Sequence, residues 1–216
     1  MAIDHVLLAV SDLGAAAAQL RERHGLTALP GGRHPGAGTA NMIVPLGPDY
    51  LELIAIVDPA EAGGNPLSRR VSGAIARGAT FATWAVRVPD LDLAKRVLAS
   101  QGIESLGPRD GSRQRPDGVL LRWRTLHVGE GLEPAIPFLI EWNLPAGEHP
   151  GQRTVVHPAG RVTLRSVRLT ARYPASMGER IRRLVGPDVA FTVLPGLRDE
   201  VAALVLDLDG EERELK

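Results

Sequence analysis

Residues 3–13 read IDHVLLAVSDL. Ile3–Val10 is apolar and rich in β-branched residues, which predicts a buried strand, with one imidazole inside it at His5. Ser11-Asp12 offers a helix N-cap, Leu13–His24 is a good helix, and Gly25 follows as its stop. The same joint recurs 78 residues later, where Val88-Pro89-Asp90-Leu91 matches Val10-Ser11-Asp12-Leu13. An aspartate would cap the helix in both places.

Working outward, the two joints carry the same element order. After the first helix come a short strand at Leu26–Leu29, a Pro/Gly loop at Pro30–Gly38, and strands at Ala40–Leu46 and Tyr50–Val57. In the second half Thr80–Val88 is a strand and Leu91–Ser100 a helix. A short strand follows at Ile103–Leu106, then a polar loop at Arg109–Asp117 (RDGSRQRPD), and strands at Val119–Val128 and Ile136–Trp142. This predicts an α+β protein with paired β-α-β-β-β modules forming a cupped mixed sheet. The modules fall at 1–57 and 80–143, joined by a linker (58–79) with a short helix near Leu67–Ala76. A loop at 144–160 leads to Arg161–Ala171, Pro174–Leu184, Val189–Leu194 and Glu200–Leu208. These give a partial third β-α-β-β module over 161–210, and 211–216 reads as a frayed tail.

Composition excludes several classes. The 216 residues are 44% hydrophobic and 23% charged with zero formal net charge, so a soluble globular chain is expected and no polyelectrolyte partner. Lysine occurs only at Lys95 and Lys216, and the arginines are scattered, which points to a GC-rich genome rather than to nucleic acid. There is no cysteine, hence no disulfide, thiolate nucleophile or zinc–cysteine site, and a cytoplasmic location fits. No apolar run is long enough to span a membrane. Walker-A, GxGxxG, HExxH and GxSxG motifs are absent.

The chemistry should lie in polar residues placed within apolar strands. Glu52 is flanked by apolar residues in DYLELIAIV, and Glu141 lies in PFLIEWN of the corresponding strand. Carboxylates are seldom buried unless paired or bound to a cation. Strand alternation puts Tyr50, Ile54 and Ile56 on the face of Glu52, and Leu139 and Asn143 on that of Glu141. Thr83 is the counterpart of His5. Trp84 and Trp142 fall on the opposite faces and are expected to be core; Trp123 is undetermined. The alternatives are structural. His5 could be a hydrogen-bonded strand histidine, Glu52 and Glu141 could be salt-bridged, to Arg87 or Arg122, and Thr83 could be a cavity wall.

The β-α-β-β-β repeat, with IDHVLLAVSDL, HPGAGTANMIVPLG and YLELIAI, resembles the vicinal oxygen chelate superfamily, in particular its glyoxalase-like branch. The resemblance covers roughly residues 2–145. It implies a divalent metal held by strands one and four of each module. Position by position, it implies His5, Glu52 and Glu141 as ligands, with Thr83 departing from the His or Gln expected at the fourth position. Zn²⁺, Mn²⁺, Ni²⁺ or Fe²⁺ would suit such a set, polarising a carbonyl or acidifying water. Glu52 or Glu141 would then be the catalytic base of a lyase or isomerase acting on a small oxygenated substrate. The other expectation, favoured by Thr83, is a metal-free protein that binds and sequesters a small molecule. His34, Thr39, Asn41 and Thr83 are candidate substrate contacts, and His149 or His157 could fold over the cup. Two modules can close one cup within a monomer, and a homodimer is also compatible.

Overall fold

The structure, a computed structural model, describes residues 1–216. The first module consists of β1 (Ala2–Ala9), α1 (Leu13–His24), β2 (Leu29–His34), β3 (Thr39–Pro45) and β4 (Tyr50–Ile56). The linker holds α2 (Pro59–Ala62) and α3 (Pro66–Ala76). The second module consists of β5 (Phe81–Arg87), α4 (Leu91–Ser100), β6 (Ser105–Gln114), β7 (Leu120–Val128) and β8 (Phe138–Asn143). Both predicted caps form: Asp12 accepts from the Ala15 N–H and Asp90 from the Leu93 N–H. Gly25 closes α1 in the left-handed region, at φ 64°.

Eight strands make one sheet in the order β2-β3-β4-β1-β5-β8-β7-β6. β1 and β5 are antiparallel neighbours at its centre, and each pairs in parallel with the fourth strand of its own module. The sheet curls until the outer strands β2 and β6 lie against each other without a ladder between them. Its convex side packs on α1, α4 and the C-terminal elements through the largest apolar cluster, which includes Val6, Leu53, Trp84 and Leu126. On the concave side the linker helix α3 plugs one end of the cup, packing Val71 and Ala74 against Leu7, Ile54 and Ala85.

Two expectations are corrected here. The predicted loop Arg109–Asp117 is largely strand: β6 runs through Gln114, paired residue by residue with β7 from Arg109 onward. Its polar residues mislead because an edge strand over a cavity needs few apolar side chains. Residues 211–216 do not fray. Glu211–Leu215 is strand β12, with Leu215 buried and Glu214 paired to Arg168. The C-terminal run β9 (Val162–Ala171), α5 (Pro174–Val185), β10 (Phe191–Pro195) and β11 (Glu200–Leu208) has the expected β-α-β-β order. Its strands pair as β10-β9-β11-β12, however, so the element order of the modules recurs with different neighbours. It caps the convex face, where Phe191 approaches Trp84. No helix is long and apolar enough to cross a membrane.

Candidate functional site

The concave face encloses a cavity of about 270 Å³. His5 from β1, Tyr50 and Glu52 from β4, Thr39 and Asn41 from β3, and His34 from β2 line one side. The second module contributes Arg113 from β6, Trp123, Thr125 and His127 from β7, and Phe138, Ile140 and Trp142 from β8. Alternation along the strands explains the set, since residues two apart share a face.

At the floor, His5 Nδ1 lies 2.6 Å from Asp4 Oδ1, and His5 Nε2 lies 3.4 Å from Glu52 Oε2. A carboxylate accepts only, so the His5 Nδ1–H donates to Asp4 and Nε2 is left facing Glu52. Asp4 also accepts from Trp142 Nε1 and contacts His149 Nε2, each at 3.0 Å. Burial alone would raise its pKa, but His149 and His5 outweigh that and hold Asp4 well below the usual carboxylate range. The second Glu52 oxygen accepts from Asn41 Nδ2 at 2.5 Å, and His34 Nε2 stands 3.9 Å away. Asn41 is fixed in turn by the Gly32 N–H, and His34 by Thr39 Oγ1. Burial pushes His34 down to about 4, aided by Arg113 and His5 and opposed by Glu52. Tyr50 stacks on the His5 ring at 4.5 Å, with the Phe138 edge at 5.6 Å.

The structure places His5, His34, Thr39, Asn41 and Glu52 around one cavity and places Glu141 and Thr83 outside its lining. Across β1 and β5, His5 lies opposite Ala85 and Leu7 opposite Thr83. A shift of 78 residues exchanges these pairs, which confirms Thr83 as the counterpart of His5. Leu7 lies opposite Glu52, and the equivalent pair in the second module is Ala85 opposite Phe138. Phe138, not Glu141, therefore occupies the position of Glu52. Glu141 is three residues further along, an odd number, so it points to the other face. There it accepts from the Leu91 N–H at the start of α4 and pairs with Arg124, rather than with Arg87 or Arg122. Thr83 receives the Arg70 guanidinium from α3 and lies outside the cavity lining.

The tryptophans divide differently from expectation. Trp84 is core, whereas Trp142 lines the cavity beside Trp123. Of the loop histidines, His149 reaches Asp4 from behind, and His157 staples the Thr27 N–H to the Pro45 carbonyl. Asp4 and Arg113 are missing from the sequence-based set. Asp4 sits one residue from the predicted ligand, where alternation alone sends it to the other face; a bulge between Ile3 and His5 interrupts that alternation, and Asp4 lies beside His5 without lining the cavity.

The donor set does not fit a four-ligand metal centre. Two of the four positions are held by a phenyl ring and by a hydroxyl tied to Arg70, and no group of three or more His, Asp or Glu side chains converges to hold a cation.

Several solved structures are similar to this chain. A hypothetical protein from Staphylococcus aureus superposes with a TM-score of 0.80 over 95% of this chain and 90% of its own, at 14% identity. Methylmalonyl-CoA epimerase from Mycobacterium tuberculosis matches with a TM-score of 0.47 at 22% identity, covering 66% of this chain and 88% of that one. A Streptomyces coelicolor methylmalonyl-CoA epimerase variant, in complex with 2-nitronate-propionyl-CoA, matches with a TM-score of 0.48 at 17% identity, over 67% and 97%. No curated protein matches. The sequence profile of the glyoxalase-like domain matches residues 3–185, and the chain belongs to that family.

Proposed function

We propose that the protein is a proton-transfer enzyme of isomerase or lyase type, acting on a small oxygenated substrate held in the cup. Glu52 is the general base and His5 its proton partner. The observation that carries this is the chain Asp4–His5–Glu52 at the cavity floor. With Nδ1–H committed to Asp4, His5 Nε2 and the Glu52 carboxylate confront one another as lone-pair donors, so the pair is built to share one proton. Asn41, itself held by the Gly32 N–H, fixes the carboxylate through one oxygen, so the other, which faces His5, is the one that takes the substrate proton. The aromatic walls exclude water from the transfer.

The divalent-metal reading loses Glu141, and the positions facing His5 and Glu52 from the second module do not replace it. The chemistry is therefore assigned to the side chains alone. Hydrogen–deuterium exchange tests it: the full chain is incubated in D₂O with a panel of small hydroxy- and keto-compounds, followed by proton NMR. Catalysed loss of a C–H signal is expected, persisting in EDTA and falling about 10²- to 10⁴-fold in Glu52→Gln. Exchange that vanishes with EDTA and returns with Zn²⁺ or Mn²⁺ refutes the metal-free assignment. Binding without exchange across the panel replaces the enzyme with the sequestering protein, which the apolar walls of Trp123, Trp142 and Phe138 would also suit.

A further inference from the structure

Arg113 is a buried cation of the cup wall that makes no ion pair, although the Glu52 charge reaches it through space. The residue is 2% exposed, and its NH1 has no hydrogen-bond partner. Among the polar residues lining the cavity, Glu52 already directs its two oxygens to His5, His34 and Asn41. Arg113 reaches its place across Gly31 and Gly32 of β2. A Cβ at Gly31 would stand 2.8 Å from Arg113 NH1, and one at Gly32 would stand 2.9 Å from its Cγ. Gly31 thus makes room for the guanidinium and Gly32 for the aliphatic stem of Arg113 where β2 and β6 meet.

Burial of a charge is costly unless it is compensated, and burial lowers the pKa of Arg113. The buried Arg70 differs in place rather than in kind, since its NH2 also lacks a partner. It donates to the Gly131 and Ile136 carbonyls and to Thr83, and it does not line the cavity. Arg109 also lines the cavity, but of the two arginines in the wall only Arg113 is buried with an unpartnered guanidinium nitrogen. Guanidinium groups suit carboxylates through paired N–H donors.

We infer that Arg113 anchors the carboxylate of a small organic monoanion whose apolar part lies against Trp123 and Phe138. This rests on the proton-transfer reading of the same cup and names its substrate class. Arg113 adds one buried positive charge to the wall, and a monocarboxylate matches that charge one for one. A dianion such as a phosphate monoester would bring a second negative charge into a cup whose wall already holds Glu52 and Asp110. Held by Arg113, the carboxylate also places the adjacent carbon within the cup that Glu52 serves.

The test uses benzoate as probe on the full chain, with tryptophan fluorescence and thermal unfolding as readouts. Benzoate is expected to perturb the emission and raise Tm, whereas benzamide and phenyl phosphate bind about 10-fold or more weakly, the scale of one charge-assisted contact. Arg113→Met should lose benzoate binding by a similar factor, and Arg113→Lys should recover part of it. Equal affinity for benzoate and benzamide, or no binding of benzoate, overturns the assignment, and neither comparison needs a variant to fold. Full benzoate affinity in a folded Arg113→Met also overturns it. Glu52→Gln separates the two proposals. It should abolish exchange yet retain benzoate, so a failed base and a failed anchor give different results.

Discussion

Asp4→Asn is the sharpest single perturbation of this site. The native carboxylate accepts from Trp142 Nε1 and from His5 Nδ1, and contacts His149 Nε2. Arg87 NH1 stands 3.6 Å from it. Asparagine has the same shape but only one accepting oxygen. Trp142 Nε1 can only donate, so that oxygen must remain on its side and the new NH₂ must face His5. His5 then takes the other tautomer, with Nδ1 accepting and Nε2–H pointing at Glu52. The proton now sits where substrate-derived protons must go, and exchange should fall about 10²- to 10⁴-fold. Removing one member of a buried charged cluster costs about 3–5 kcal/mol, which for a chain of this size lowers Tm by roughly 6–20 °C. Long-range ¹⁵N–¹H NMR of the histidine rings reads the tautomer directly, and calorimetry reads Tm. A folded Asp4→Asn protein that keeps the Nδ1–H form of His5 and native exchange would refute the proton chain.

Further expectations follow from other parts of the molecule. Burial, with Asp4 nearby, pushes Asp49 up to about 7, and its Oδ1 has no hydrogen-bond partner. A raised carboxyl gives stability that is full below its unfolded value near 3.8 and is lost as pH rises through 7. Asp49→Asn should therefore lose less stability than the native protein between pH 4 and pH 8, by up to about 4 kcal/mol in denaturant titrations; parallel curves would disprove it. Gly31→Ala would put a Cβ 2.0 Å from Asn41 Oδ1 and 2.8 Å from Arg113 NH1. It should cost about 1–3 kcal/mol by overpacking and weaken benzoate binding and exchange together; loss of neither contradicts the packing described. Deleting residues 211–216 removes β12 and the buried Leu215, and should cost about 1.5–3 kcal/mol from that side chain alone, as read by the shift in urea midpoint. An unchanged midpoint would mean that β12 adds nothing.

Much of the cup was legible in the chain. The two aspartate-capped joints, 78 residues apart, place β1 beside β5, and the pairing of His5 with Ala85 and Leu7 with Thr83 obeys the same offset. Glu52 and Asn41 were legible because polar side chains inside apolar strands have few places to go. Glu141 has equally apolar neighbours and still lies on the outer face. Flanking residues report burial of a strand but not its register, and the interval between β7 and β8 differs from that between β3 and β4. Arg113 was hidden by its surroundings: RDGSRQRPD has the composition of a loop, and only the curl of the sheet brings it over the glycines of β2. Asp4 was hidden by a bulge that no pattern of alternation announces.

The segment from His149 to His157 lies after the second module in sequence but is tied to the first. His149 reaches Asp4, Gly151 packs against the Asp49 backbone, and His157 joins Thr27 to Pro45. During synthesis on the ribosome, the whole eight-stranded sheet can emerge before these residues leave the exit tunnel. Until they do, Asp4 lacks one of its partners and the imidazole beside it lacks a settled carboxylate. The earliest residues of the chain are thus completed by some of its later ones, so the polar floor of the cup is assembled only after the whole second module has been made.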